Sequence, residues 1–203
     1  AKKMKNVITM LFQNFETLDV FGPAEILGRL KDHFNLRFIS QTGGVITSTQ
    51  NVPVTTEPLS GLSGPGHILL IPGGLGVVDL LRDEQWMNNL KYLALRAEYI
   101  LTVCTGSILF SKTGLLNGKK ATANKRLFSW AIQESPEVQW IKKARWVKDG
   151  NIYTSSGVSA GMDMTFGFIA DLLGHAVAKQ NSIEIEYDWK EDPGWDLFAD
   201  LYR

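Results

Sequence analysis

Between Val7 and Leu173 the chain alternates short apolar runs with longer stretches of helical spacing. Val7–Phe12, Leu36–Ser40, His67–Ile71 and Tyr99–Val103 have the length and near-continuous apolarity of buried strands. Asp19–Leu30, Glu84–Glu98, Ser107–Thr113, Leu127–Glu134 and Ser159–Leu173 read as helices, the last apolar nearly all round and closed by Gly174. Strands separated by helices cannot pair through tight turns, so this order predicts an α/β fold with a mainly parallel sheet covered on both faces. Trp146–Ser155, with Asp149-Gly150 at its middle, predicts one tight hairpin in addition.

At 203 residues with no linker, repeat or low-complexity tract, the chain is expected to form a single domain over residues 1–203. Its 21 basic and 21 acidic residues cancel, leaving no electrostatic pull toward nucleic acid or an anionic membrane. No apolar run reaches the roughly 18 residues a spanning helix needs. The basic start Ala1–Asn6 is too short and polar for a signal peptide, and the one cysteine permits no intrachain disulfide. A cytoplasmic protein is therefore expected. The tail Asp188–Arg203 carries Trp189, Trp195, Phe198 and Tyr202, which fits packing on its own domain or a subunit contact.

Parallel sheets bind ligands beyond the carboxyl ends of their strands. The segments there are Gln13–Asp19, Pro72-Gly73-Gly74, Cys104-Thr105-Gly106-Ser107 and Ser155–Gly161. Cys104 sits where a strand meets a helix, among small residues, which is the setting of a nucleophile elbow. Helix amides near the sulfur favour the thiolate, so the expected sulfur is exposed and ionised. The Thr105 N–H, with that of Gly73 or Gly74, is a candidate donor to developing negative charge.

The usual base for a catalytic cysteine is histidine. His67 opens its strand, about 20 Å from the carboxyl edge at strand rise. His33 and His175 lie beyond helices, at about 21 Å. All three are expected at the wrong edge, and they form no metal cluster, so neither a zinc site nor a cofactor is expected. Asp19 and Glu16 are better placed. Local grounds favour Asp19 as a helix cap; crowding beside the sulfur would instead raise its pKa and make it a general acid and base.

Taken together, Phe15–Glu25, Ile71–Gly74, Val103–Ser107, Gly114–Thr122 and Ser155–Asp163 resemble the ThiJ/PfpI superfamily, the cysteine branch of the class I glutamine-amidotransferase-like fold. The resemblance spans about residues 7–175. It implies a flavodoxin-like three-layer sandwich, a homodimer, Cys104 as elbow nucleophile and Asp19 as the acid beside it. One departure is Asn124, which stands where many relatives carry histidine after Ala121-Thr122; this places a Cys-His mechanism in doubt. Leu18–Pro23 and Cys104–Ser107 are most similar to the isocyanide hydratase subgroup. That likeness implies hydration of a small electrophile through a thioimidate, with Gly74, Thr105 and Val158 lining the pocket. The alternatives are a glyoxalase or deglycase acting on reactive carbonyls, and a redox sensor whose cysteine oxidises to sulfinate.

Overall fold

The computed structural model describes residues 4–202, so Ala1–Lys3 of the basic start and the terminal Arg203 lie outside the described residues. The strands are β1 (Lys5–Met10), β2 (Phe34–Ser40), β3 (Gly44–Thr47), β4 (Pro53–Pro58), β5 (Ile68–Ile71), β6 (Tyr99–Val103), β7 (Lys120–Ala121), β8 (Gln139–Trp140), β9 (Trp146–Asp149) and β10 (Ile152–Ser155). The helices are α1 (Thr17–Gly28), α2 (Val77–Leu80), α3 (Glu84–Arg96), α4 (Gly106–Ser111), α5 (Phe128–Glu134), α6 (Ala160–Leu173) and α7 (His175–Glu184).

Eight strands form one sheet in the order β3-β4-β2-β1-β5-β6-β10-β9. The six inner strands, β4 to β10, run parallel; the edge strands β3 and β9 are antiparallel to their neighbours. The expected mainly parallel α/β sandwich is thus present. Its three layers follow from the alternation of side chains along buried strands. Val7, Ile68, Leu70, Leu101 and Val103 point into the core shared with α1 and α6. Ile8, Leu69, Ile71 and Ile100 point into the opposite core, which holds Trp86, Leu90 and Phe110. Each such side chain, fully buried, contributes about 1.5–3 kcal/mol.

The expected hairpin is β9–β10, where Asp149 pairs with Ile152 across Gly150-Asn151. Gly150 has φ +62°, the conformation a two-residue turn of this kind needs. Helix α3 carries the clearest cap: the Asp83 carboxylate accepts from the Trp86 N–H at 3.1 Å. Trp86 is buried and meets Phe12 edge-on at 5.8 Å. Asp83→Ala should cost about 1 kcal/mol, read as a lower urea midpoint with unchanged slope.

The β3–β4 hairpin has no counterpart in the sequence reading. Its strands are mostly exposed and bounded by Gly44 and Pro53, so the apolar run that marks the inner strands is missing. The tail folds back on its own domain: Trp189 and Ala199 are buried, and the Arg145 N–H donates to the Pro193 carbonyl at 2.7 Å.

Strand order reverses between β1 and β5, because the chain leaves β1 toward β2 on one side and resumes at β5 on the other. The carboxyl ends of β1, β5 and β6 therefore open side by side, and a crevice forms there.

Candidate active site

Cys104 follows the last residue of β6 and adopts φ +59°. A non-glycine residue in this left-handed region costs on the order of 1–2 kcal/mol. Packing holds it there from both sides. The Cys104 N–H donates to the Ser156 carbonyl at 3.2 Å. Helix α4 starts at Gly106, where an added Cβ would lie 2.3 Å from the Ile71 carbonyl oxygen. Only glycine lets α4 approach the end of β5 so closely. Val158 faces the same sulfur and is also strained, with φ +33°, an outlier for a β-branched residue.

The elbow is present, but the sulfur is not the exposed thiolate that the sequence suggested. Cys104 is 4 % exposed, and burial, reinforced by the charge of Asp19, pushes its thiol up to about 12. Helix α4 has six residues and carries little dipole, so desolvation prevails over it. Hydrogen bonds oppose the shift only in part. Asn124 Nδ2 donates to Cys104 Sγ at 2.9 Å, and the Val158 and Thr105 N–H groups also donate to the sulfur.

Asn124 is oriented by its own backbone. Its Oδ1 accepts the Arg126 N–H at 2.9 Å, which leaves only the amide hydrogens for the sulfur. Asn124 therefore reaches the thiol and gives it a hydrogen bond without being able to remove a proton. Asn124→Ala should raise the Cys104 pKa further and slow its alkylation at fixed pH. Thiolate absorbance and iodoacetamide rates would measure both, and an unchanged titration would refute the contact.

Asp19 lies in the first turn of α1, fully buried. It does not cap that helix, whose N-cap Glu16 makes no side-chain cap bond either. Its Oδ2 instead accepts the Gly73 N–H across the β1–β5 crevice at 2.8 Å. The capping expectation fails because α1 turns this side chain inward, toward the neighbouring strand end. Burial holds the Asp19 carboxyl well above its ordinary value, the Gly73 hydrogen bond opposes this, and the nearby charge of Glu16 adds to it. A carboxyl so placed keeps its proton to higher pH than an ordinary carboxylate. Oδ2 takes the Gly73 hydrogen bond, so the proton belongs on Oδ1, which has no other partner.

The glycine pair is built into this frame. The Gly73 N–H goes to Asp19, and the Gly74 N–H donates to Thr105 Oγ1 at 3.0 Å, so neither is the free donor to substrate charge that the sequence predicts, and Gly73 does not line the cavity above Cys104. Thr105 and Val158 turn their N–H groups to the sulfur. The structure thus brings together Cys104, Asp19, Gly73, Gly74, Thr105 and Val158. It keeps the histidines away: His67 Nδ1 accepts the Asn6 N–H at 2.9 Å at the far edge, His175 pairs with Glu191, and His33 precedes β2. Among the described residues no cluster of three His, Cys, Asp or Glu side chains is arranged to hold a metal.

A cavity of about 550 Å³ opens above Cys104. Gly74, Thr105, Asn124 and Val158 line it beside the sulfur, and Glu16, Lys125, Trp130, Arg145, Phe198 and Tyr202 complete much of its wall; Asp19 lies beneath, outside the lining. Of these only Glu16 is a site candidate on sequence grounds; the others come from α5, loops and the tail, which no local motif joins to Cys104. Lys125 is the most constrained. Its ammonium donates to Thr122 Oγ1 at 2.7 Å and to the Ala123 and Ala144 carbonyls at 3.1 and 3.0 Å, and it pairs with Asp196 at 3.3 Å. Burial lowers its pKa to about 8, and Asp196 opposes the shift. Three acceptors and a carboxylate require all three of its protons, so it serves here as a buried cation that fixes the loop bearing Asn124.

The DJ-1/PfpI family model matches residues 5–171. The chain belongs to the DJ-1/PfpI family. An isonitrile hydratase from Pseudomonas putida is 33 % identical over 184 residues, covering 88 % of this chain and 76 % of that protein. Among solved structures, a ThiJ/PfpI family protein from Pseudomonas syringae superposes with TM-score 0.80 at 24 % identity, over 92 % of this chain and 76 % of the other. Drosophila melanogaster DJ-1beta gives TM-score 0.80 at 18 % identity, over 92 % and 100 %. These two likenesses show the flavodoxin-like fold of the DJ-1/PfpI family in this chain. The tail from Asp192 onward, which carries Phe198 and Tyr202, lies beyond the part that the family model matches. No helix among the described residues is long and apolar enough to cross a membrane.

Proposed function

We propose that this chain hydrates an isocyanide, or a similar small electrophile, to an N-formamide through a covalent thioimidate on Cys104. The observation that carries the reading is a buried thiol near a buried carboxyl, each held protonated to higher pH than usual, with an amide donor in place of an imidazole. The similarity to the Pseudomonas putida isonitrile hydratase supports it.

Addition to an isocyanide places both sulfur and hydrogen on the terminal carbon, so no standing thiolate is required. The Asp19 Oδ1 proton passes to that carbon as Cys104 Sγ bonds to it, and the thiol proton returns to the carboxyl. The product is R–N=CH–S–Cys104. The Asn124, Thr105 and Val158 donors stabilise negative charge on sulfur while the bond forms. Water then adds to the same carbon, Asp19 moves its proton, and the C–S bond breaks. The sum is R–NC plus water giving R–NH–CHO, with the thiol restored.

The same reading takes the chain as a cytoplasmic homodimer acting on a small molecule, without nucleic acid or membrane as partner. Mass spectrometry of reduced protein incubated with methyl and benzyl isocyanide tests the reaction. N-Methyl- and N-benzylformamide are the expected products, and no formamide from intact, reduced protein would sink it. The superfamily resemblance leaves one second reading, turnover of a reactive carbonyl such as methylglyoxal, and sequence likeness to DJ-1 homologues is consistent with it. Lactate production without formamide would select it. A sensor role is less well supported, because oxidation follows thiolate character and exposure, and Cys104 has little of either.

A further inference from the structure

The cavity over Cys104 is much larger than the group that reacts there. An isocyanide has two heavy atoms at its reacting end, whereas the cavity measures about 550 Å³. That lies inside the roughly 300–1,000 Å³ of pockets that hold drug-sized ligands. Nearly all of the space therefore belongs to the substituent.

The chemistry of the wall defines that substituent. Trp130 from α5 contributes an indole fixed by its Nε1–H, which donates to Glu134 Oε1 at 3.0 Å. Phe198 and Tyr202 come from the tail, and Leu75 and Val78 from the segment after β5. The two buried cations of the lining are already matched. Arg145 is paired with Asp163, and Lys125 with Asp196 at 3.3 Å. What remains for a ligand is largely an apolar and aromatic surface, with Glu16 and the exposed Arg126 also in the lining.

The tail is anchored well enough to act as a wall. Asp196 is buried against Lys125, and Lys142 Nζ donates to the Tyr202 carbonyl at 2.6 Å. The Arg145 guanidinium lies 5.7 Å from the Trp195 ring. Yet Phe198 is 48 % exposed and Tyr202 is 42 % exposed. These rings are positioned by their neighbours but not covered by them, and a bound apolar group would bury them.

We infer that Phe198 and Tyr202, facing Trp130, form a specificity wall that selects substrates bearing an aryl or bulky alkyl group. The inference rests on the hydration reading for its substrate class and extends it to a segment beyond the part that the family model matches. A methyl substituent leaves the wall empty; a benzyl group reaches it. The test is the ratio of kcat/KM for benzyl isocyanide to that for methyl isocyanide, in the wild-type chain, F198A and F198L. Phe198 is half exposed, so neither variant threatens folding. The ratio should fall about tenfold in F198A, the scale on which an apolar pocket discriminates, and recover in part in F198L. An unchanged ratio overturns the wall.

Should the wild-type chain form no formamide from either compound, the hydration reading fails and the wall is judged separately. Calorimetry with N-benzylformamide is the probe. Tenfold weaker binding to F198A supports the wall, and equal binding, or none to the wild-type chain, overturns it.

Discussion

Cys104→Ala loses formamide production by on the order of 10⁴-fold or more, while the protein keeps its fold. The size of the effect follows from what is removed: every bond made to substrate in the proposed reaction forms at that sulfur, and no neighbouring group can substitute for it. Cys104→Ser should be nearly as inactive, since a hydroxyl oxygen is a far weaker nucleophile than a thiol sulfur. Stability should hardly change. Alanine accepts φ +59° no worse than cysteine does, the backbone bond to Ser156 persists, and only one sulfur atom leaves the core. Cys104→Gly provides the converse check, because glycine releases the strain of the elbow. A variant that lacks the sulfur but still turns over isocyanide would remove the covalent route.

Asp19→Asn is expected to lower turnover about 10²–10⁴-fold, the usual span for a positioned proton donor, and to leave the protein as stable or more so at pH 7. The amide keeps an oxygen for the Gly73 N–H and fills the same space, but it has no proton to relay. The sign of the stability change follows from the raised pKa. The folded chain holds a proton on Asp19 that the unfolded chain releases above its ordinary carboxylate value. Stability of the wild-type chain therefore declines as pH rises from that value through the folded one, and the asparagine variant lacks this slope. Urea midpoints of the two at pH 4 and pH 7 should diverge in favour of Asp19→Asn at the higher pH. Wild-type turnover should likewise fall on the alkaline side, as Asp19 loses its proton. A variant that gains activity, or loses stability as pH rises, would contradict a neutral Asp19.

The fold could be read from the chain because its inner strands are almost continuously apolar. Ile68–Ile71 serves two cores at once, and such a run has no other stable setting. The elbow was legible as well, since Gly106 and Ser107 after a strand announce a turn too tight for larger residues. Two features were not. The inward turn of Asp19 depends on how the start of α1 meets Gly73 in the turn after β5, which local capping preferences do not contain. The ionisation of Cys104 was misjudged because helix onset is visible in sequence and burial is not. Lys125, Trp130 and Phe198 are separated along the chain and meet only in the folded molecule, where no periodicity connects them.

Every hydrogen bond to the Cys104 sulfur comes from a donor, Asn124, Thr105 or Val158, and none of these groups can receive a proton from it. Asp19 aside, the partners of this sulfur offer no base for a stray proton. Compounds whose attack would strand a proton should pass through unreacted. Those that carry a lone pair on the very atom under attack bring their own sink, and an isocyanide carbon is such an atom. Reactivity here would be rationed by the basicity of the incoming molecule rather than by the acidity of the thiol.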